Sequence, residues 1–334
     1  MGELSRTWQA LGITLIAASA VSIIYTTLTI EPLLLDVCGE GNAQGTPLAL
    51  TLMPMSYIVM VAGLANYSKG YVAKLISNGA SIKDLKRLLL GTVVAGGSAY
   101  SNEGKYCLRF YSKDAALHEI FSGLSYAVYH VRPRTTKIVS RSTYVTQLYS
   151  KAAVNELKEF SPELNTRNGG VPSIQVILEG GRRVRVEAAR LTMSISGWIN
   201  CGFQSTGAGM IAYPRLGLGA VNPVSLNEEY EELMGSAGIL MEFYNDRRYP
   251  GTGYLATSRL EGLCRFADIG SFIDGAMVKR GVFAGISKKG LLEAILKEKN
   301  FHHRSKCEAV ECLKGLADTT KRDMQLYLNR IMLG

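Results

Sequence analysis

Leu88-Leu89-Leu90-Gly91-Thr92-Val93-Val94-Ala95-Gly96-Gly97 is the stretch whose reading decides how this chain folds. It has the pattern of a helix end whose last turns carry only small residues. Gly91 and Ala95 stand four apart on one face, and Gly96-Gly97 stops the helix. A face without bulk lets a second helix approach closely. A segment of the same character follows about a hundred residues on, Ala188-Ala189-Arg190-Leu191-Thr192-Met193-Ser194-Ile195-Ser196-Gly197, small on one side through Ala188 and Thr192 and closed again by Gly. The chain is therefore expected to hold two copies of one unit, joined at these two helices.

Working outward, Ser81-Ile82-Lys83-Asp84 has capping-box spacing and starts the first of these helices. In residues 105–111, Tyr106, Leu108 and Phe110 alternate with Lys105, Cys107, Arg109 and Tyr111, which predicts a strand with one apolar and one basic face. A helix over 112–129, a hairpin over 134–140 and 143–149, and a closing helix over 151–160 complete the unit. Pro162, Gly169, Gly170 and Pro172 mark a linker. The second copy repeats the order with a helix over 185–197, strands over 198–203 and 212–218, and a second capping box at Ser225-Leu226-Asn227-Glu228. A hairpin over 240–245 and 253–258 and a closing helix over 259–268 follow. Two C-terminal helices are predicted over 288–299 and 306–332. The expected domains are thus an apolar segment (1–66), a first repeat (67–160), a linker (161–173), a second repeat (174–285) and C-terminal helices (286–334).

The 334 residues carry a formal charge of +9, unevenly placed: residues 1–80 sum to −1 and the remainder to +10. Such an asymmetry suggests a polyanionic partner for the C-terminal part. Six scattered cysteines make no disulfide framework and point to a reducing, cytoplasmic setting. His302, His303, Cys307 and Cys312 alone resemble metal ligands. On a helix, the spacing of Cys307 and Cys312 splays them by about 140°, and no metal is expected there.

Residues 7–30 and 41–68 are free of charge and each long enough to cross a bilayer, with Arg6 before the first run and Lys69 and Lys74 after the second. They are read as a membrane hairpin with both ends in the cytoplasm, as a buried helical appendage, or as an extension upstream of a start near Met53, Met55 or Met60.

The doubled glycine-ended helix, the order of elements and the length of the repeated part resemble the LAGLIDADG homing endonucleases in their single-chain, two-repeat form. The likeness covers roughly residues 83–300. It implies an α+β fold of two pseudo-symmetric αββαββα repeats in one monomer. The motif helices would lie at a pseudo-twofold axis, and each would lead into a saddle of antiparallel strands for the DNA major groove. In that family an acidic residue just before the final Gly of each motif helps hold the divalent metals that activate water. Here those positions are Gly96 and Ser196, and neither is a carboxylate. Magnesium favours hard, usually carboxylate, oxygen ligands, so no catalytic residue is expected. An active, magnesium-dependent nuclease with acids supplied from elsewhere stays open as the enzyme alternative. A membrane-anchored protein with a cytoplasmic basic domain is the third reading. The binding reading assigns a DNA or structured-RNA surface, such as an intron transcript would meet, to Lys105, Arg109, Arg132, Arg134, Lys137, Arg141, Gln147 and Lys151 in the first copy. In the second it assigns Arg215, Arg247 and Arg248.

Overall fold

The computed structural model describes residues 70–102, 104–138, 143–164, 170–207, 209–298 and 301–317. The apolar runs 7–30 and 41–68, Arg141, and the helix expected beyond residue 317 lie outside the described residues. Among the described residues no helix is long and apolar enough to cross a membrane.

After α1 (Tyr71–Ser77), the capping box forms as its spacing predicts. Ser81 Oγ accepts from Asp84 N at 3.2 Å, and the Asp84 carboxylate accepts from Ser81 N at 3.0 Å. This starts α2 (Ile82–Gly96), whose Leu85, Leu88, Leu89, Leu90 and Val93 are buried. The glycines then hand the chain to β1 (Gly97–Asn102) and β2 (Lys105–Ser112). Next come α3 (Ala115–Tyr129), β3 (Arg134–Ile138), β4 (Thr143–Tyr149) and α4 (Lys151–Phe160).

A single turn, α5 (Gln175–Leu178), precedes the second series: α6 (Arg182–Ile195), β5 (Gly197–Thr206), β6 (Gly209–Pro223), α7 (Val224–Ser236), β7 (Glu242–Asn245), β8 (Thr252–Thr257) and α8 (Leu260–Asp268). The C-terminal part adds α9 (Lys288–Lys297), β9 (His302–His303) and a helix α10 over 306–317.

The result is a mixed α/β architecture with antiparallel sheets. Their orders are the same, β1-β2-β4-β3 and β5-β6-β8-β7, with β9 added to β6. Helices cover one side of each sheet: Leu108, Phe110 and Leu148 in the first and Leu216, Leu218 and Leu255 in the second are fully buried. α2 packs against α6 between the two sheets.

Two local expectations are corrected. α7 has no capping box, because β6 runs on to Pro223 and the helix opens at Val224, which places Ser225 inside the first turn instead of at its cap. β5 and β6 are also longer than the apolar alternation suggests, since their outer ends are held by β9 and by backbone pairing more than by burial.

The buried polar centre of the first repeat is a chain of hydrogen bonds. His118 Nε2 donates to Ser112 O at 3.1 Å, which leaves Nδ1 to accept from Thr146 Oγ1 at 2.7 Å, and Thr135 Oγ1 lies 2.8 Å from Thr146 Oγ1. The imidazole also packs edge-on to Phe110. Removing it with His118→Ala is expected to destabilise the fold by about 2–4 kcal/mol, measured by denaturant unfolding. Burial pushes the pKa of His118 below its usual value. The unfolded chain therefore takes up this proton first as pH falls. The contribution is complete above about pH 6.5 and is lost as pH drops through the lower folded value. Acid destabilisation between about pH 7 and pH 5 should accordingly be shallower in His118→Ala than in the parent.

Candidate nucleic-acid interface

The two motif helices end differently. At the first tip, a Cβ on Gly96 would stand 2.5 Å from Ile195 Cγ2 of α6 and 3.0 Å from Phe110 Cε2, so the position holds no side chain at all. At the second, Ser196 Oγ donates to Thr192 O at 3.1 Å. Both tips continue through a Gly pressed against backbone: a Cβ on Gly97 would lie 2.5 Å from Arg109 O, and one on Gly197 would lie 2.4 Å from Met193 O. Farther back, Gly91 is covered by Ile177 of α5, Ala188 and Thr192 are buried in α6, and Ala95 is half-buried in α2.

An ammonium sits beside the second tip. Lys288 Nζ donates to Ser194 O at 2.8 Å, Gly197 O at 2.6 Å and Met193 O at 3.4 Å, and so satisfies carbonyls that the end of α6 leaves without partners. Burial, with the Lys279 charge nearby, pushes its pKa down to about 7. Lys279 in turn pairs with the buried Asp114 at 3.5 Å. Neither Lys288 nor Asp114 is legible as part of this cluster from sequence, because Lys288 meets the end of α6, and Asp114 meets Lys279, across a long stretch of chain. The two motif positions themselves offer no ligand to a divalent metal: one has no room, the other carries a hydroxyl already engaged. Among the described residues no three His, Cys, Asp or Glu converge.

The basic residues sort by strand parity. Register places Ser98, Arg109, Gln147 and Arg134 in one row across β1, β2, β4 and β3, on the side that the helices leave open. Lys105, Cys107, Tyr100 and Tyr149 share that side, and no carboxylate does among the described residues of these strands. Arg109 lies over the Tyr100 ring at 5.4 Å, and its buried Nε has no hydrogen-bond partner. Cys107, expected among the polar residues, is nonetheless buried, since Tyr100 and Tyr149 flank it in register.

Lys137 alternates to the opposite side of β3 from Arg134 and does not join the row. Arg132 projects from the loop before β3 and lies 5.7 Å over Tyr126. Lys151, at the start of α4, lies 5.6 Å over Tyr106.

The matching row of the second sheet is Trp198, Gly217, Ala256 and Glu242, so an aromatic stands where the first sheet has Ser98, glycine and alanine stand where it has Arg109 and Gln147, and an acid stands where it has Arg134. Arg259 pairs with Glu242 at 2.9 Å. Arg248 makes a two-pronged pair with Asp246, which holds that carboxyl below its usual pKa. Arg247 is exposed in the same turn. Arg215 stands one row from Trp198, 5.6 Å over the indole.

The architecture thus defines a protein with two antiparallel sheets of matching strand order, the second extended by β9, each presenting one open side. Solved structures similar in fold are LAGLIDADG homing endonucleases. The crystal structure of I-DmoI in complex with DNA and Mn shares 12% identity at a TM-score of 0.40, over 58% of this chain and 100% of that one. The I-SmaMI LAGLIDADG homing endonuclease bound to cleaved DNA shares 11% at a TM-score of 0.43, over 70% of this chain and 95% of that one. No protein-family model and no curated protein matches the chain. Identities this low leave the chemistry to be read from the residues themselves.

Proposed function

We propose that this chain is a nucleic-acid-binding protein of LAGLIDADG type that grips duplex DNA, or a structured RNA, through the open side of its first sheet and does not cut it. The observation that carries this reading is the acid-free face of the first sheet, where Arg109, Gln147 and Arg134 line up across three strands with Lys105 beside them. Cations at strand spacing neutralise phosphates with counterion release, and Arg and Gln are the side chains that pair bidentately with guanine and adenine edges. The motif positions support the absence of cleavage, because metal-assisted attack on a phosphodiester draws on carboxylates that neither Gly96 nor Ser196 supplies.

Binding of a mixed-sequence duplex titrated against salt tests the reading. With three or four phosphates neutralised, log K should fall with log salt at a slope of about −3, and a flat response would overturn it. The same duplex incubated with magnesium should stay intact, whereas nicking by the unmodified protein would favour the enzyme alternative. A structured RNA run in parallel decides which polymer is preferred.

A further inference from the structure

Resting on the nucleic-acid reading above, we propose that the open side of the second sheet is a stacking platform for unpaired bases, so that the partner carries a single-stranded segment beside its duplex. Trp198, Tyr254 and Tyr244 form a connected ladder there. Trp198 meets Tyr254 edge-on at 6.1 Å, and Tyr254 stacks on Tyr244 at 5.5 Å. Trp198 and Tyr254 are half-buried and Tyr244 is exposed.

The platform is built into the backbone. A Cβ on Gly217 would fall 2.1 Å from the Trp198 ring, and one on Gly202 would fall 2.2 Å from the Tyr213 ring, so each aromatic lies over a glycine of the neighbouring strand. Trp198 is held further by donating from Nε1 to Gly219 O at 3.2 Å. Fixed rings of this kind lose little freedom when a base stacks on them.

Charge complementarity selects the occupant. Arg215 lies over the indole, and no carboxylate among the described residues pairs with it. Arg247 stands exposed in the turn that follows the Tyr244 strand. Cations bordering aromatic faces suit a phosphate backbone with its bases turned inward, and such stacking tolerates any sequence. The duplex-reading residues of the first sheet have no counterpart in this row, where Gly217 and Ala256 are too short to reach paired bases and the Glu242 carboxylate is engaged by Arg259 and the Tyr244 hydroxyl.

The chain holds two tryptophans, Trp8 and Trp198, so full-length Trp8→Phe reports on Trp198 alone. Its fluorescence is to be followed while a blunt duplex, the same duplex with an oligo-dT overhang, and the same duplex with an oligo-U overhang are titrated. The expected result is quenching by an overhang but not by the blunt duplex, with affinity raised roughly ten- to a hundredfold. Tyr244→Leu, which keeps apolar cover on Tyr254, should lose most of that gain while binding the blunt duplex as before. Quenching by dT or by U alone assigns the unpaired segment to DNA or RNA, and either supports the platform. An overhang that neither quenches nor tightens binding overturns the platform and leaves the duplex reading standing. Quenching by free oligo-dT or oligo-U with no duplex binding keeps the platform and overturns the duplex reading.

Discussion

Reversing Arg109 and Arg134 together, as Arg109→Glu with Arg134→Glu, is expected to lower duplex affinity by about a hundred- to a thousandfold and to make the salt slope shallower by about two. Both guanidinium groups stand on the open side of the first sheet in one register row with Gln147. Each reversal removes a phosphate-neutralising cation and sets a carboxylate in its place, so repulsion adds to lost attraction. Neither change should unfold the sheet, because Arg134 is exposed and Arg109 gives up only contacts within its own side of the sheet, with the Tyr100 ring, Tyr111 and Cys107. Lys137→Glu is the control. Set against Arg134→Glu alone, it makes the same change of formal charge three residues along β3, but its side chain lies on the opposite side of the strand, and affinity should fall less than about threefold. Equal losses from Lys137 and Arg134 in a binding titration would show that overall charge, not the row, holds the polymer.

Gly96→Asp is expected to destabilise the protein by about 3–4 kcal/mol and to leave it without nuclease activity, whereas Ser196→Asp should stay within about 1 kcal/mol of the parent. The difference comes from what stands beside each tip. A Cβ at Gly96 would already sit 2.5 Å from the branched, rotamer-restricted side chain of Ile195 and 3.0 Å from Phe110, and a carboxylate would follow it into an apolar contact between the two motif helices. Ser196 is half-buried with its hydroxyl turned back on Thr192 O, so an acid there meets mainly the unfavourable end of the helix dipole. Denaturant unfolding of both variants measures the contrast. Adding Ile195→Ala to Gly96→Asp should recover part of the loss, because it removes the atom in conflict. A Gly96→Asp protein as stable as the parent would show that the two helix ends do not meet as described.

These two expectations rest on different kinds of information. The cations of the first sheet were legible from residues alone, because alternation in 105–111 assigns Arg109 to the polar side. Which cations share a side of the sheet was not. Lys137 and Arg134 are close in sequence and both basic, and only the pairing of β3 with β4 separates them onto opposite sides. Ser225 and Glu228 had capping spacing, yet the preceding strand ran through to Pro223 and took the cap position from Ser225. Glycines on β6 were visible, and glycine in a strand signals a close approach. Which aromatic approached could be known only from register, where Gly217 faces Trp198 and Gly202 faces Tyr213.

By itself the sequence determined the repeated order of helices and strands, the glycine ends of α2 and α6, and the absence of carboxylates at Gly96 and Ser196, since these follow from local periodicity, capping and residue identity. The tertiary structure alone decided that Ile195 fills the space at Gly96, that Lys288 closes the end of α6, and that the two sheets present unlike open sides. Each of these depends on atoms brought together across long loops, and pairwise contacts of that kind leave no periodic trace along the chain.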